Sequence, residues 1–538
     1  MLLAARSITA SATDRLIATL QREPDSVSLV SESGASELAP AGNGIWTNDN
    51  AEVRFSLRGK GLAIELASPH TAPKTLEFRW NARPDPAWIY LGDAWERAYG
   101  DLDWLPLDAR RIMPWYFLAS DGTATIGVGV KTGPGALCYW TMNAQSISLH
   151  ADVRSGGMGV QLGNRRLKVC TVVSRENLPG ETPFAADQSF CRIMCPVPRL
   201  PPEPVYGFND WYCSYGHDTA DNFLANVSYL ISLGPTNGTR PFAVVDDGWQ
   251  WAGNDGKQPG LWNQTDPQFS AKYRMPEFAR KVSGLGARPG LWYRPLIASA
   301  DQPKNWRLQR DPGILDPTVP AVRSLIKDSV SRFHGWGFEL IKHDYTTFDL
   351  CGRWGKDMGA EITDDGWTFA DRSRTTAEVI RNLYQDIREA AGDHTLILGC
   401  NTMGHLAAGI FEMQRIGDDT SGREWDRTRT MGVNCLAFRA PQNGTFFAVD
   451  ADCAGQVSSR SVPWEKNSQW LRLLAHSGTP LFTSFPHETV SPDQETALRE
   501  ALAAASQRQP LAEPEDWMTS RTPEKWRFGP TVMSFSWQ

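Results

Sequence analysis

Carboxylate side chains recur at one kind of place in this sequence, directly after apolar segments of strand length. Eight such segments follow residue 204, and five of them lead into acids, the first with a tryptophan beside it: Asp210 with Trp211, Asp246 with Asp247, Asp344, Asp418 with Asp419, and Asp450 with Asp452. A single acid at such a place could cap a helix. Five together favour an acidic pocket that binds the hydroxyl groups of a polyhydroxylated ligand.

The segment LIKHDY (340–345) has the spacing of a nucleophile and a supporting cation. Lys342 and Asp344 are two residues apart, so on a strand they share one face. The ammonium group then favours the ionised carboxylate and can also bind a sugar hydroxyl. The alternative is a simple ion pair between the two side chains. His343 points to the opposite face, where we expect it to be packed or to support the site from behind.

The segment RIGDDTS (415–421) supplies a second carboxyl group. Arg415 precedes Asp418 by three residues and Asp419 by four, and its guanidinium group can orient an acid or hold substrate hydroxyls. Two adjacent carboxyl groups repel, which raises the pKa of one of them, as a general acid at neutral pH requires. Spacing alone leaves open which one is the acid. One ionised and one protonated carboxyl group are what glycoside hydrolysis uses.

Metal, nucleic-acid and membrane functions find less support. The nine histidines form neither HxH nor HExxH, so no zinc site is predicted. An acid-only magnesium site is an alternative, but no phosphate-binding loop accompanies it. The net charge of −7 argues against nucleic acid. No segment approaches the roughly 20 apolar residues of a membrane span. We therefore expect no metal, no cofactor, no membrane partner and a cytoplasmic location.

The acids must be positioned by a repeating pattern of strands and helices. The apolar segments alternate with helical patterns or long connections, as in a (β/α)8 barrel: 205–208, 241–249, 290–296, 338–345, 396–401, 411–419, 445–452 and 479–485. Pro320 marks the start of one helix, and Thr375 with Glu378 forms a capping box at another. A doubly wound sheet is the rival fold, but no GxGxxG follows the first strand. We predict a barrel over 205–508.

The flanking regions have other patterns. Short alternating strands separated by turn residues fill residues 25–195, which predicts an N-terminal β-sandwich over 1–195. Five prolines in residues 196–204 indicate a stiff linker. Residues 509–538 have room only for a short C-terminal β segment.

Four short motifs resemble those of glycoside hydrolase clan D, the α-galactosidase clan. They are PFAVVDDGW (241–249), LIKHD (340–344), LGCN (398–401) and RIGDDT (415–420), and their order along the chain also matches. The resemblance is nearest to glycoside hydrolase family 36, with touches of family 27. It implies a β-sandwich before a catalytic barrel, and retaining, exo-acting hydrolysis of a small-molecule or oligosaccharide substrate without a cofactor.

The resemblance also implies roles for single residues. The nucleophile falls on Asp344, and the general acid/base falls on Asp419 rather than Asp418. Substrate-binding roles fall on the positions that match the remaining motifs: Trp211, Asp246, Asp247, Trp292, Lys342, Cys400, Arg415 and Asp452. The two catalytic carboxyl groups are expected to converge at one rim of the barrel.

The sugar and the leaving group stay open, because YTTFDLCGRWG after strand four and CNT after strand five depart from typical α-galactosidases. An α-galactoside is the expected substrate. The alternatives are an N-acetylgalactosaminide, a β-L-arabinopyranoside, a transglycosylase that excludes water, and a non-catalytic carbohydrate-binding protein. A homo-oligomer is an expectation by analogy with the family.

Overall fold

The computed structural model describes residues 12–236, 238–251, 261–456 and 462–538. The chain divides into two compact units. The first runs to Asp93 and includes Trp104–Arg154 and Gly159–Met194, and the second contains Ala94–Asp103, Ser155–Met158 and Cys195–Gln538. Residues 94–103 thus belong to the second unit, although the sequence pattern groups them with the N-terminal strands. The boundaries at 195, 205 and 508 stay predictions.

The first unit is built on one large antiparallel sheet of fourteen strands. The strands are Ser26–Ser31, Gly34–Gly42, Ile45–Thr47, Glu52–Arg58, Gly61–Ala67, Pro73–Trp80, Ile89–Gly92, Leu105–Pro106, Met113–Pro114, Tyr116–Ser120, Thr125–Val130, Leu137–Asn143, Ser146–Asp152 and Leu167–Glu176. Alternate residues are buried along strands such as Glu52–Arg58, as expected for a sheet with one face in a core.

The antiparallel sheet folds over so that its strands face each other in two layers. Phe55 contacts Phe78 with ring centroids 5.7 Å apart, and Phe117 contacts Trp140 at the same separation. Edge-to-face packing of this kind joins the layers through a common apolar core.

Among the described residues, two helices accompany the sheet of the first unit, Ala12–Leu20 and Pro183–Met194. The expectation of strands up to residue 195 is therefore wrong at its end. Phe184, Phe190 and Met194 are buried on one face of the second helix, with Pro183 at its start. This spacing is helical and overrides the strand pattern that precedes it.

The second unit contains a curled parallel sheet. Its strands are Tyr206–Asn209, Phe242–Val245, Arg288–Tyr293, Leu340–His343, Leu396–Gly399, Met413–Arg415, Ala448–Asp450, Cys453–Gly455 and Leu481–Ser484. Consecutive strands pair in parallel, except Ala448–Asp450 and Cys453–Gly455, and the last strand pairs with the first. This order is that of a barrel and excludes the doubly wound sheet, whose strand order reverses at a switch point.

The barrel closes through a break in its seventh strand. Ala448–Asp450 pairs with the sixth strand, while Cys453–Gly455 pairs with the eighth. Only Ala451 and Asp452 separate the two halves, and Asp452 has a positive φ of 75°. The unbroken strand predicted over 445–452 is therefore wrong, because the chain bends at Asp452 to reach both neighbours.

Most helices of the second unit connect the barrel strands, and Pro492–Ala505 follows the last strand. The helices are Trp211–Ser214, Ala220–Leu233, Met275–Gly284, Pro320–Gly335, Thr346–Cys351, Thr376–Ala391, Gly404–Ala407, Trp425–Arg427, Cys435–Arg439, Trp464–His476 and Pro492–Ala505, with a π-helical stretch at Thr428–Asn434. The capping box at Thr375 and Glu378 forms as predicted. No helix among the described residues is long and apolar enough to cross a membrane.

The described part of the second unit also contains two small sheets. Gln250–Trp251 pairs with Leu261–Thr265, and three strands near the C-terminus pair in sequence: Glu513–Pro514, Lys525–Phe528 and Thr531–Ser534. The latter lie in the segment where the sequence left room for a short β element.

A glycine holds the first and second barrel strands at their close separation. Gly207 has φ +154°, and a Cβ atom there would overlap the carbonyl group of Phe242. We predict that Gly207→Ala lowers the free energy of unfolding by about 3 kcal/mol or more, because the strand pair must separate. The measurement is the urea midpoint followed by circular dichroism.

Gly335→Ala is the matched control, because no atom lies within 4 Å of a Cβ built at that position. Its midpoint should stay near that of the parent. Equal midpoints for the two variants would contradict the role of Gly207.

Candidate active site

A cavity of about 490 Å³, its open mouth included, lies at the carboxyl ends of the barrel strands. Its walls are Arg97, Trp211, Asp246, Asp247, Trp292, Lys342, Asp344, Tyr345, Trp354, Asp418 and Asp419. Seven of the ten candidate residues from the sequence are in this set, including both candidate catalytic acids, Asp344 and Asp419.

Asp344 follows the fourth barrel strand and is held by hydrogen bonds to both carboxylate oxygens. Trp292 Nε1 donates to Oδ2 at 3.0 Å. The backbone amides of Tyr345 and Asn401 donate to Oδ1 at 2.7 and 3.0 Å. Three donors fix the orientation of the carboxylate and stabilise its charged form.

The charge on Asp344 is favoured by its surroundings as well. Burial by itself raises the pKa of Asp344, but Lys342, Arg97 and the hydrogen bonds outweigh burial, so the pKa lies below its ordinary value. The ammonium group of Lys342 does not bind Asp344 itself, however. It donates to Asp246 Oδ2 at 2.7 Å. Lys342 therefore pairs with an acid two strands away, and the simple Lys342–Asp344 ion pair, the alternative that the sequence left open, is not the arrangement observed.

Asp246 and Asp247 follow the second barrel strand and have different environments. Asp246 is 3% exposed and also accepts from Asn209 Nδ2 at 2.8 Å. Asp247 accepts from Gln250 Nε2 at 2.5 Å. Burial and the charge of Asp246 raise the pKa of Asp247, although Gln250 opposes them. Asp247 thus contributes an acceptor to the cavity without a cationic partner of its own among the described residues.

Asp419 lies at the mouth, where 37% of its side chain is exposed. Arg415 Nη2 donates to Asp419 Oδ1 at 2.8 Å and contacts Asp452 Oδ2 at 2.7 Å. Burial, the largest effect, raises the pKa of Asp419, and the charge of Asp452 adds to it, while Arg415 opposes them. The net result is a pKa above the ordinary value.

Arg415 and Asp452 lie behind Asp419 and are not among the residues that line the cavity. Arg415 is 2% exposed. Asp452 accepts hydrogen bonds from the Tyr212 hydroxyl and from the backbone amide of Thr420. Arg415 divides its charge between two carboxylates, which leaves Asp419 less stabilised as an anion than a carboxylate with its own guanidinium partner.

Asp418 has a different setting from that of Asp419. Arg97 Nη1 contacts its Oδ1 at 3.1 Å, and Arg427 Nη2 donates to its Oδ2 at 2.6 Å. Each oxygen of Asp418 thus faces a guanidinium group. Among the described residues, Asp419 contacts one guanidinium group, that of Arg415.

The segment 94–103, which the sequence pattern assigned to the N-terminal domain, contributes Arg97 to the cavity. Its anchor is Glu96, which is 1% exposed. Glu96 accepts from Asn401 Nδ2 at 2.6 Å, from the Tyr99 hydroxyl at 2.7 Å and from the Gly355 amide at 3.1 Å. The backbone of Ala98 also forms a parallel bridge with Gly417, beside the end of the sixth barrel strand.

Aromatic side chains form another part of the lining. Trp354 packs against Tyr345 with ring centroids 6.1 Å apart, and Arg97 lies over the Trp354 ring at 5.6 Å. Tyr345 has a positive φ of 66°, a sparsely populated conformation for a bulky residue. Trp211 contacts Tyr215 at 5.4 Å on another side of the cavity. Flat rings of this kind suit the apolar face of a sugar.

Sequence reasoning missed three lining residues, Arg97, Tyr345 and Trp354. Arg97 lies in the segment GDAWERAYGDLDW (92–104), whose strand-like surroundings assigned it to the sandwich. Tyr345 and Trp354 follow Asp344 in a segment that departs from the family pattern. A search for aromatic residues that follow Asp344 closely in the sequence would have found Tyr345 and Trp354.

Cys400 and His343 are buried rather than exposed to the cavity. Burial raises the pKa of the Cys400 thiol, and the charge of Asp344 adds to this. His343 packs against Tyr384 and Phe411, on the face away from Asp344 as its strand position predicts. Burial lowers the pKa of His343 to about 3, so its ring is neutral.

Solved structures share this architecture. An α-galactosidase from Thermus thermophilus, in complex with p-nitrophenyl α-D-galactopyranoside, aligns with a TM-score of 0.58 and 16% identity over 95% of this chain and 99% of its own. The chain has the fold of an α-galactosidase. The shared fold confirms the architecture that the motifs led us to expect.

Two further structures agree. A glycoside hydrolase family 36 α-galactosidase from Geobacillus stearothermophilus, with 1-deoxygalactonojirimycin bound, aligns with a TM-score of 0.58 and 12% identity over 94% of this chain and 80% of its own. One from Lactobacillus brevis aligns with a TM-score of 0.55 and 13% identity over 94% and 77%. No protein-family model matches the sequence, and no curated protein does.

We predict that Glu96→Ala destabilises the protein by about 3–5 kcal/mol. The substitution leaves the buried Arg97 with less compensating charge and removes the acceptor of Asn401, Tyr99 and the Gly355 amide. The loss should appear as a lower thermal midpoint in differential scanning calorimetry. Asp101→Asn changes an exposed acid in the same segment and should shift the midpoint little; a Glu96→Ala midpoint equal to that of this control would contradict the anchoring role.

Proposed function

We propose that the protein is a retaining, exo-acting glycoside hydrolase that cleaves α-galactosides by double displacement, with Asp344 as nucleophile and Asp419 as general acid/base. The observation that carries the proposal is the pair of carboxyl groups in one cavity whose surroundings move their pKa values in opposite directions. Opposed shifts are how two carboxyl groups take the roles of nucleophile and acid at the same pH.

In the first step Asp344 attacks the anomeric carbon while Asp419 gives its proton to the glycosidic oxygen. A covalent glycosyl-enzyme forms, and the leaving group departs as an alcohol. The hydrogen bonds from Trp292 and from two backbone amides hold the Asp344 carboxylate in place for attack. Orientation of this kind replaces motions that an unbound reactant must first lose.

In the second step Asp419, now ionised, takes a proton from water. The resulting hydroxide attacks the anomeric carbon, the bond to Asp344 breaks, and the sugar leaves with its original configuration. The partial exposure of Asp419 gives water access to this carboxylate, whereas Asp344 is 9% exposed.

Asp419 is a better candidate for the acid than Asp418 for a geometric reason. Both oxygens of Asp418 face guanidinium groups, which compete with a leaving-group oxygen for the carboxyl group. Asp419 has its Oδ1 on Arg415 and a partly exposed side chain in the cavity. This arrangement leaves Asp419 room to contact a glycosidic oxygen.

The sugar orientation follows from the depth of the residues. Asp246 and Lys342 are almost fully buried, at 3% and 8% exposure, so they suit the hydroxyl groups of a terminal sugar that enters first. The leaving group then lies toward the exposed Asp419. Trp211 offers an aromatic surface for the ring. Hydrolysis of a terminal residue, rather than of an internal bond, is the reaction that this order supports.

Galactose is proposed as the sugar from the shared fold and motifs. The Thermus thermophilus neighbour is described in complexes with p-nitrophenyl α-D-galactopyranoside and with stachyose. N-acetylgalactosaminides and β-L-arabinopyranosides are the competing substrates, and an aryl glycoside panel separates them.

The first test uses nucleophile and acid/base variants with p-nitrophenyl α-D-galactopyranoside. We predict that Asp344→Ala lowers kcat/KM roughly 10⁴-fold or more, since no covalent intermediate can form. Azide should restore cleavage of this activated substrate and give β-galactosyl azide.

Asp419→Ala should lower kcat/KM roughly 10²–10⁴-fold on unactivated substrates. Azide should then give α-galactosyl azide, because it attacks the anomeric carbon of the glycosyl-enzyme from the side opposite Asp344.

Product configuration is read by NMR. Asp426→Asn is the control, because that side chain is 87% exposed and pairs with Arg429 at the surface. Parent-like rates for Asp344→Ala, or the same azide anomer from both variants, would show that the two roles are assigned wrongly.

The pH dependence of kcat/KM provides a second test. Asp344 must be ionised, and its pKa is lowered, so activity should fall only when pH drops through a value below the ordinary 3.8. Asp419 must be protonated, and its pKa is raised, so activity should fall as pH rises through a value above 3.8.

The basic limb should therefore disappear in Asp419→Ala assayed with an activated aryl galactoside, while the acidic limb stays. Persistence of the basic limb in this variant would assign it to another group. Asp426→Asn should retain both limbs.

A further inference from the structure

Asp210 is a buried acid at the end of the first barrel strand that the proposed mechanism does not use. It precedes the short helix Trp211–Ser214, but its side chain forms no capping hydrogen bond. It is 2% exposed. Its Oδ1 instead accepts the backbone amide of Asp246 at 2.7 Å. Asp210 thus connects the first barrel strand to the acid that is proposed to bind the deepest sugar hydroxyls.

A second carboxyl group faces Asp210. Asp218 Oδ1 accepts from the Thr219 amide at 2.8 Å and from Asn222 Nδ2 at 2.7 Å. Its Oδ2 is buried and accepts no hydrogen bond from an N–H or hydroxyl group among the described residues. The side chains of Asp210 and Asp218 are within hydrogen-bonding range of each other. Two carboxylates in contact repel, and a hydrogen bond between them requires one proton.

We propose that Asp210 carries this proton, donates it in a hydrogen bond to Asp218, and so acts as a neutral positioning residue for Asp246. The inference rests on the proposed function, because it assigns Asp246 to substrate binding. Burial, the charge of Asp218 and the charge of Asp246 all raise the pKa of Asp210. The hydrogen bond from Asp210 lowers the pKa of Asp218, but burial exceeds it.

The neutral state of Asp210 matters because Asp246 is already charged and paired with Lys342. An ionised Asp210 would place a second negative charge beside Asp246 and compete for the same ammonium group. The other titratable groups that face the pair are Cys213, whose pKa is raised by burial, and His487. The latter is held by Asn226 through Nδ1 at 2.8 Å.

Two variants of nearly parent shape separate charge from packing. Asp210→Asn keeps an acceptor for the Asp246 amide and a donor for Asp218, and it cannot ionise. We expect its KM for p-nitrophenyl α-D-galactopyranoside to stay within about twofold of the parent at neutral pH. Asp218→Asn gives Asp210 an N–H donor that favours its ionised form, and KM should rise about tenfold with kcat changed much less.

The pH profile is the readout that a merely structural role would not move. In the parent, KM should rise at a pH above the basic limb assigned to Asp419, as the pair loses its shared proton, whereas in Asp210→Asn it should stay level. Asp221→Asn, an exposed acid on the helix Ala220–Leu233, is the control and should follow the parent. Equal increases in KM for Asp210→Asn and Asp218→Asn, or a parent-like KM for Asp218→Asn, would overturn the proposal.

Infrared difference spectra test the proton without any turnover. The parent minus Asp210→Asn spectrum at neutral pH should contain the C=O stretch of a protonated carboxylic acid, which is absent from the parent minus Asp221→Asn spectrum. Absence of the band would overturn the shared proton. A parent that shows this band but cleaves no glycoside would refute the proposed function and, with it, the role for Asp246, while leaving the carboxyl pair established.

Discussion

Mutual repulsion among carboxylates is the constraint on which this site depends. Asp246, Asp344, Asp419 and their neighbours crowd the carboxyl ends of the barrel strands, where burial makes each uncompensated charge costly. The structure meets this constraint with unequal compensation. Asp344 receives hydrogen bonds and nearby cations, while Asp419 shares one guanidinium group with Asp452. Because of this unequal compensation, the pKa of Asp344 is lowered and the pKa of Asp419 is raised, although both are aspartates.

The strand order of the barrel determines which acids lie next to cationic groups. Parallel strands bring Lys342 on the fourth strand against Asp246 after the second, across the intervening third strand. The break at Asp452 lets one residue reach Arg415 while the two halves of the seventh strand pair on either side. Residues 94–103 add Arg97, whose charge is balanced by Glu96 and Asp418. Strand geometry and buried charge are thus parts of one arrangement.

Sequence patterns predicted the features that depend on neighbours along the chain. Apolar runs located the barrel strands, and the acids after them, together with the residues that the family resemblance added, account for the seven of ten candidates that line one cavity. The capping box at Thr375 formed for the same local reason. Sequence patterns could not predict that Lys342 pairs with Asp246 rather than with Asp344, which is nearer in sequence, because this pairing depends on the spacing between strands.

Other errors have the same physical origin. The helix Pro183–Met194 follows a long run of strands, and its register is evident only from residues three and four apart. Arg97 lies 321 positions (418 − 97) before Asp418, the cavity acid that it contacts, so no local signal connects them. Asp210 looked like a helix cap or a pocket acid, and only the fold shows that its carboxyl group accepts the amide of Asp246.

The most direct test of the central claim is to trap the covalent intermediate. A 5-fluoro-galactosyl fluoride slows both steps by destabilising the oxocarbenium-like transition state, while its good leaving group keeps the first step faster than the second. Mass spectrometry of the digested protein should then find one galactosyl label, on the peptide that contains Asp344. A label on another carboxylate, or turnover without any covalent species, would contradict the account.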